Sequence, residues 1–172
     1  ISLGTASSAT AAIMDDGKIV YSEAFGMRDR EKSIPVNSHT QFDIASVSKL
    51  FSSTSILLLV QEGKVELDRP VVDYIPEFTM PDPRYTKITV RMLLNHSSGM
   101  PGTYGKRANG DVKNHAYARD SVAYTAGEYL KHDPGILSVY CNDGFTFAEE
   151  IVRRISGMPY EEFLGSHVFR KL

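Results

Sequence analysis

Apolar positions follow two rhythms along this chain. Over residues 9–14 and 18–25 they form short β-prone runs, and Asp15-Asp16-Gly17 between them supplies the positive φ that a tight turn needs. This pattern predicts a β-hairpin. Residues 26–40 are polar and carry Pro35, as a connecting loop would, and residues 42–45 read as a short strand or an extended lead-in. From residue 46 the spacing turns helical. Val47, Leu50, Phe51, Thr54, Leu57, Leu58 and Gln61 recur at three- and four-residue intervals up to a natural stop at Gly63, which predicts a helix over 46–62 buried on more than one side.

Beyond it, residues 67–83 mix prolines with Val71, Val72 and Ile75, as a loop with one short helical turn would. Thr89 is placed to cap a short helix through Leu93 and Leu94 to Asn95. Residues 97–110 read as a Gly-rich loop and 119–131 as a helix, followed by a Pro134-Gly135 turn. Asn142 or Asp143 is expected to cap a further helix with the apolar stripe Phe145, Ala148, Ile151, Val152 and Ile155. Gly157 ends it, and Pro159 suits the first turn of a last helix to Phe169. Two strands followed by about five helices make a lopsided balance, since a two-stranded hairpin is marginal without further strands. The pattern is that of part of a fold.

Composition changes this picture little. The chain has 172 residues, 42% hydrophobic and 23% charged, with a net charge of -2. That is room for one domain with a real core, and it gives no reason to expect nucleic acid as a partner. No run reaches the length of a membrane span and no signal peptide is visible. The chain opens at Ile1 instead of a methionine, so its start is read as processed or engineered. The single cysteine, Cys141, rules out an internal disulfide.

Candidate chemistry centres on Ser46 and Lys49, at the start of the long helix. A hydroxyl with an amine one turn along the same face is the minimal kit of a Ser-Lys nucleophile. The spacing alone is weak, because about one Ser-x-x-Lys arises by chance in a chain this long. An N-cap serine and a solvated lysine would look the same. What sets Lys49 apart is a helix that is otherwise almost uncharged, behind three residues that read as buried. A lysine amine serves as a base near neutrality only if its ordinary pKa of ~10.4 falls by about three.

Tyr140-Cys141-Asn142, just before a predicted helix, is the second candidate. Tyr140 offers a proton-transfer group and Asn142 an amide, both on one side of an extended segment. A core tyrosine followed by an N-cap asparagine is the plain reading. The third candidate, His96 between a short apolar helix and a Gly turn, fits a buried structural histidine better than a hydrolase base. Other classes find little support. The five histidines are scattered, with neither His-Glu-x-x-His nor a Cys/His cluster, so no metal or cofactor is expected. There is no G-x-S-x-G elbow and no P-loop. Asp15/Asp16 and Glu161/Glu162 read as turn and helix-start charges.

In this order, Ser46-x-x-Lys49, the phrase over residues 88–101 with Leu93-Leu94-Asn95-His96-Ser97-Ser98-Gly99, and Tyr140-x-Asn142 resemble the serine β-lactamase and penicillin-binding protein superfamily. The branch is that of class C β-lactamases with their esterase and D-alanyl-D-alanine carboxypeptidase relatives, and the likeness covers nearly the whole chain. It implies an α/β (α+β) fold of the β-lactamase/transpeptidase type. Residues 1–172 would form an incomplete domain, with 1–45 giving the hairpin and lead-in strand and 46–172 the mainly helical part.

The resemblance implies a serine hydrolase working through an acyl-serine on a β-lactam, ester or D-amino-acid peptide. Ser46 would be the nucleophile, Lys49 and Tyr140 would share the proton transfers, and Asn142 would hold the substrate. Which of Lys49 and Tyr140 is the base stays open, since both start near pKa 10 and titrate together. Cys141 stands where the family usually has a small hydroxyl residue. The third motif, a Lys/His-x-Gly on a strand that completes the oxyanion hole, is expected on a complementary C-terminal segment or chain. Without it the chain is expected to be inactive, or a non-catalytic penicillin-recognising module. The resemblance favours a periplasmic or extracellular setting.

Overall fold

The computed structural model describes residues 6–102 and 117–172 and divides into two units, Ile1–Ala45 and Ser46–Leu172. In the first unit, β1 (Ser8–Asp15) and β2 (Lys18–Asp29) pair antiparallel, with Asp15 opposite Lys18. The connecting residues Asp16 and Gly17 have φ of 44° and 72°, the two positive values of a twist-matched hairpin turn. The sequence places a loop over 26–40, but β2 continues to Asp29 and a short β3 (Ile34–Pro35) pairs with it, in the order β1-β2-β3. Ile13, Met14, Ile19 and Val20 are all exposed, so apolar side chains stand on both faces of the hairpin.

No strand forms over 42–45. The Asp43 carboxylate accepts the Ala45 N–H at 2.7 Å, and Ala45 takes a φ of 43°, which no strand tolerates.

The second unit is built around α4 (Asn142–Ser156), which packs against α1 (Ser48–Gln61), α2 (Val90–Leu94), α3 (Tyr117–Tyr124) and α5 (Tyr160–His167). Its stripe of Phe145, Ala148, Ile151 and Val152 is buried as the periodicity predicts, with Ile155 half-buried, and Phe147 stacks edge-on against Phe78 at 4.8 Å. Gly157, with φ 74°, ends it. Thr89 caps α2, accepting the Met92 N–H at 3.4 Å.

Three local expectations need correction. The buried face of α1 is Ser52, Ser55, Ile56 and Leu59, whereas Leu50 and Leu57 are 66% and 50% exposed. A helix apolar nearly all round carries little phase information, and the two buried serines are satisfied by hydrogen bonds. α3 ends at Tyr124 in a 3-10 turn (Thr125–Gly127); Gly127 weakens the helix, and the Lys131 N–H goes to the Gly99 carbonyl. Cys141, not Asn142 or Asp143, holds the cap position of α4, because the chain stays extended through it (φ −142°, ψ 117°). The loop expected over 97–110 falls partly outside the described residues. No described helix is long and apolar enough to cross a membrane.

Candidate active site

Ser46 lies in a 3-10 turn (Ala45–Val47) that leads into α1, one residue earlier than an α-helical cap. Its side chain is therefore not spent on capping. Ser46 Oγ stands 2.5 Å from Tyr140 Oη, and Lys49 Nζ donates to the same Oγ at 3.2 Å. Ser46 and Tyr140 are exposed and Lys49 is half-buried, so the Ser46 hydroxyl faces solvent with the amine less exposed beside it. The lysine nitrogen also lies 4.8 Å from the centroid of the Tyr140 ring and 5.5 Å from that of Phe145. Hydrogen bonding by Lys49, reinforced by Ser46, holds the Tyr140 phenol below its ordinary pKa. The three residues before Ser46, read as buried from the sequence, are exposed.

Tyr140 reaches this place because the segment before α4 is tied down along its length. The Gly135 N–H bonds the Ser97 carbonyl at 2.8 Å, the Val139 N–H the His96 carbonyl at 2.9 Å, and Ser138 Oγ the Asn95 carbonyl at 3.0 Å. Arg84 adds an ion pair that joins Asp82 to Asp133. At the end of this run the Cys141 N–H donates to His96 Nδ1 at 3.1 Å, and the imidazole packs on Tyr140 and Phe145 with centroids 4.6 and 5.1 Å away.

Burial, aided by the charge of Lys49, pushes the His96 pKa down, which keeps an acceptor lone pair at Nδ1. His96 bonds the backbone next to Tyr140, while the Ser46 hydroxyl pairs with Tyr140 and Lys49. α4 lies close to α2 here, because a Cβ on Gly144 would come 2.9 Å from the Leu93 carbonyl oxygen.

Of the four residues singled out in the sequence, Ser46, Lys49 and Tyr140 converge on one point. Asn142 opens α4 and is exposed, as is Tyr140, while Cys141 between them is buried. Its amide takes no part in the hydrogen bonds that join the other three. Phe145 under Lys49, and His96 as the fixed acceptor beside Tyr140, were not legible as site residues. The sequence shows the first only as a core position and the second only as a structural histidine.

A small antiparallel sheet joined to a helical unit is an α+β arrangement, and with the comparisons below it places the chain in the serine β-lactamase and penicillin-binding protein superfamily. The chain belongs to the Beta-lactamase family, whose model matches residues 3–172. It is 32% identical to the putative penicillin-binding protein PbpX of Bacillus subtilis over 163 residues, which are 95% of this chain and 39% of that protein. Among solved structures, the octameric penicillin-binding protein homologue from Pyrococcus abyssi superposes with a TM-score of 0.81 at 27% identity, over 95% of this chain and 38% of its own. D-amino acid amidase from Ochrobactrum anthropi SV3, complexed with L-phenylalanine amide, gives 0.81 at 27%, over 99% and 46%. The chain thus spans between 33% and 39% of the length of the curated relatives it matches.

Proposed function

We propose that this chain carries the nucleophile half of a serine acyl-transfer site. The carrying observation is the exposed Ser46 Oγ, 2.5 Å from Tyr140 Oη and 3.2 Å from Lys49 Nζ. In the reaction, Oγ attacks a substrate carbonyl carbon while its proton passes to the Lys49–Tyr140 pair. The tetrahedral oxyanion collapses, and the leaving nitrogen or oxygen takes that proton. Water then cleaves the Ser46 ester by the same route in reverse. Asn142 is assigned to the substrate's amide or carbonyl. β-Lactams, esters and D-amino-acid amides or peptides are the substrate class, supported by relatives named as penicillin-binding proteins and as a D-amino acid amidase.

The second oxyanion donor and the Lys/His-x-Gly motif are assigned to a complementary segment. Its support is the share of the relatives that this chain spans, the apolar side chains on both faces of the hairpin, and the exposed stripe of Leu50 and Leu57 on α1. A strand that is apolar on both faces is the pattern of a sheet covered on both sides. The test is a panel of nitrocefin, p-nitrophenyl butyrate and a D-Ala-D-Ala peptide, run on the full-length protein. Turnover of any of them supports the hydrolase. Stoichiometric acylation without turnover makes the protein a penicillin-recognising module, and no reaction with any of them overturns the reading.

A further inference from the structure

α2 ends in a turn whose left-handed residue is not a glycine. The Ser97 N–H reaches back to the Met92 carbonyl at 3.0 Å, and His96, just past the end of the helix, takes a φ of 63°. Glycine is the usual occupant of such a place, because a Cβ is crowded there. A histidine in that conformation turns both its carbonyl and its ring toward the run before α4.

The two groups grip one stretch of backbone. The His96 carbonyl accepts the Val139 N–H at 2.9 Å, and Nδ1 accepts the Cys141 N–H at 3.1 Å. These donors are two residues apart in an extended segment, so they point the same way, and Tyr140 is the residue between them. The imidazole also packs on the Tyr140 ring at 4.6 Å. Tyr140 is exposed, so these contacts, more than burial, hold Oη where it meets Ser46 Oγ.

We propose that His96 is a positioning residue that holds Tyr140 against Ser46 through the peptide on each side of it, and that protonation of its ring releases one of those holds and slows acylation. This rests on the acyl-transfer reading above and deepens it. A neutral ring that accepts at Nδ1 carries its proton on Nε2. A second proton turns Nδ1 from acceptor into donor, facing the Cys141 N–H, and the hydrogen bond becomes a repulsion. The groups around the ring are Lys49 from α1, Tyr140 and Cys141 from the run before α4, and the uncharged Phe145 from α4; Lys49 is the charge that acts on it. Burial and that charge hold the imidazole below its ordinary pKa of ~6.5, so the grip is intact at neutral pH and is lost in acid.

The experiment uses the full-length protein labelled with 15N-cysteine and 13C-histidine, as wild type, His96→Asn and His96→Phe, with Cys141→Ser to assign the Cys141 amide. Asparagine tolerates the left-handed backbone and offers Oδ1 near the place of Nδ1, an acceptor that does not titrate. The Cys141 amide signal and the rate of Ser46 acylation by a fluorescent penicillin are followed against pH. In wild type the amide signal is expected to move in step with the His96 ring signal, and in His96→Asn to stay fixed. At pH 7.5 His96→Phe acylates about tenfold more slowly than wild type, and His96→Asn restores most of that loss. The ratio of the His96→Asn rate to the wild-type rate rises as pH falls through the ring titration, by up to about tenfold. A Cys141 amide that ignores the His96 titration, or a His96→Phe protein that acylates at the wild-type rate, overturns the role of His96. Absence of Ser46 acylation in wild type overturns the acyl-transfer reading instead, and the amide signal still tests the grip.

Discussion

Ser46 Oγ and Tyr140 Oη lie 2.5 Å apart across 94 residues of sequence, with no secondary structure shared between them. The contact is made by the run before α4, which His96, Ser97 and Asn95 pin to the end of α2. If this pair moves the serine proton, Tyr140→Phe slows acylation of Ser46 by about 10²–10⁴-fold, the usual worth of a positioned acid–base group. Stopped-flow acylation with nitrocefin on the full-length protein checks it. Melting behaviour should barely change, because the Tyr140 ring is 56% exposed.

His96 supplies a different test. Replacing it with Phe keeps an aromatic ring against Tyr140 and Phe145 but leaves the Cys141 N–H without its acceptor, at a cost of about 1–3 kcal/mol. Its pKa is lowered in the fold, so this contribution is complete above the unfolded value of ~6.5 and is lost as pH falls toward the folded one. Urea melts at pH 7.5 and pH 5 should therefore separate wild type from His96→Phe more at the first than at the second.

Gly144→Ala tests the approach of α4 to α2. A Cβ there meets the Leu93 carbonyl oxygen at 2.9 Å, and both partners are held in helices, so one of them must move. A loss of about 1–3 kcal/mol is expected, read as a lower melting temperature, despite the better helix propensity of alanine.

Two adjacent glutamates on α4 should show opposite pH slopes. Glu150 is fully buried; burial pushes its pKa up, but hydrogen bonds from Arg153 and Arg154 outweigh this and leave it below the ordinary value. Its contribution is present above the unfolded pKa of ~4.3 and is lost as pH falls through the folded one. Glu149 is raised to about 7, so the native state holds its proton longer and stability declines as pH rises from ~4.3 toward 7. Glu150→Gln should cost about 1–3 kcal/mol at pH 7 and progressively less as the pH falls below the unfolded value of ~4.3. Glu149→Gln should instead flatten the decline between pH 4.5 and 7. Denaturation from pH 3 to pH 7 measures both.

Much of this was legible in the chain, for reasons that can be named. The hairpin was visible because Asp15-Asp16-Gly17 has the residue types that a turn with two positive φ values demands. α4 was visible because its apolar stripe has one clear phase and Gly157 a clear stop. The face of α1 was not, since leucines line it nearly all round and the buried positions include two serines. Only the burial of Ser52, Ser55, Ile56 and Leu59 in the fold shows which way the helix faces. β3 was missed because a two-residue pairing leaves almost no pattern. At the site, the motif spacing picked out Ser46, Lys49 and Tyr140, which the fold brings together. Phe145 stayed hidden because a side chain on a packed helix shows its neighbours only once the helix crossing is known.

The central claim is that Ser46 is the acylated nucleophile, and its most direct test is to map the adduct. Full-length wild type and Ser46→Ala are treated with a fluorescent penicillin and a fluorophosphonate, digested, and read by mass spectrometry. The account predicts a single adduct on the peptide that contains Ser46, absent from Ser46→Ala. Equal labelling of the variant, or an adduct on any other residue, would contradict it.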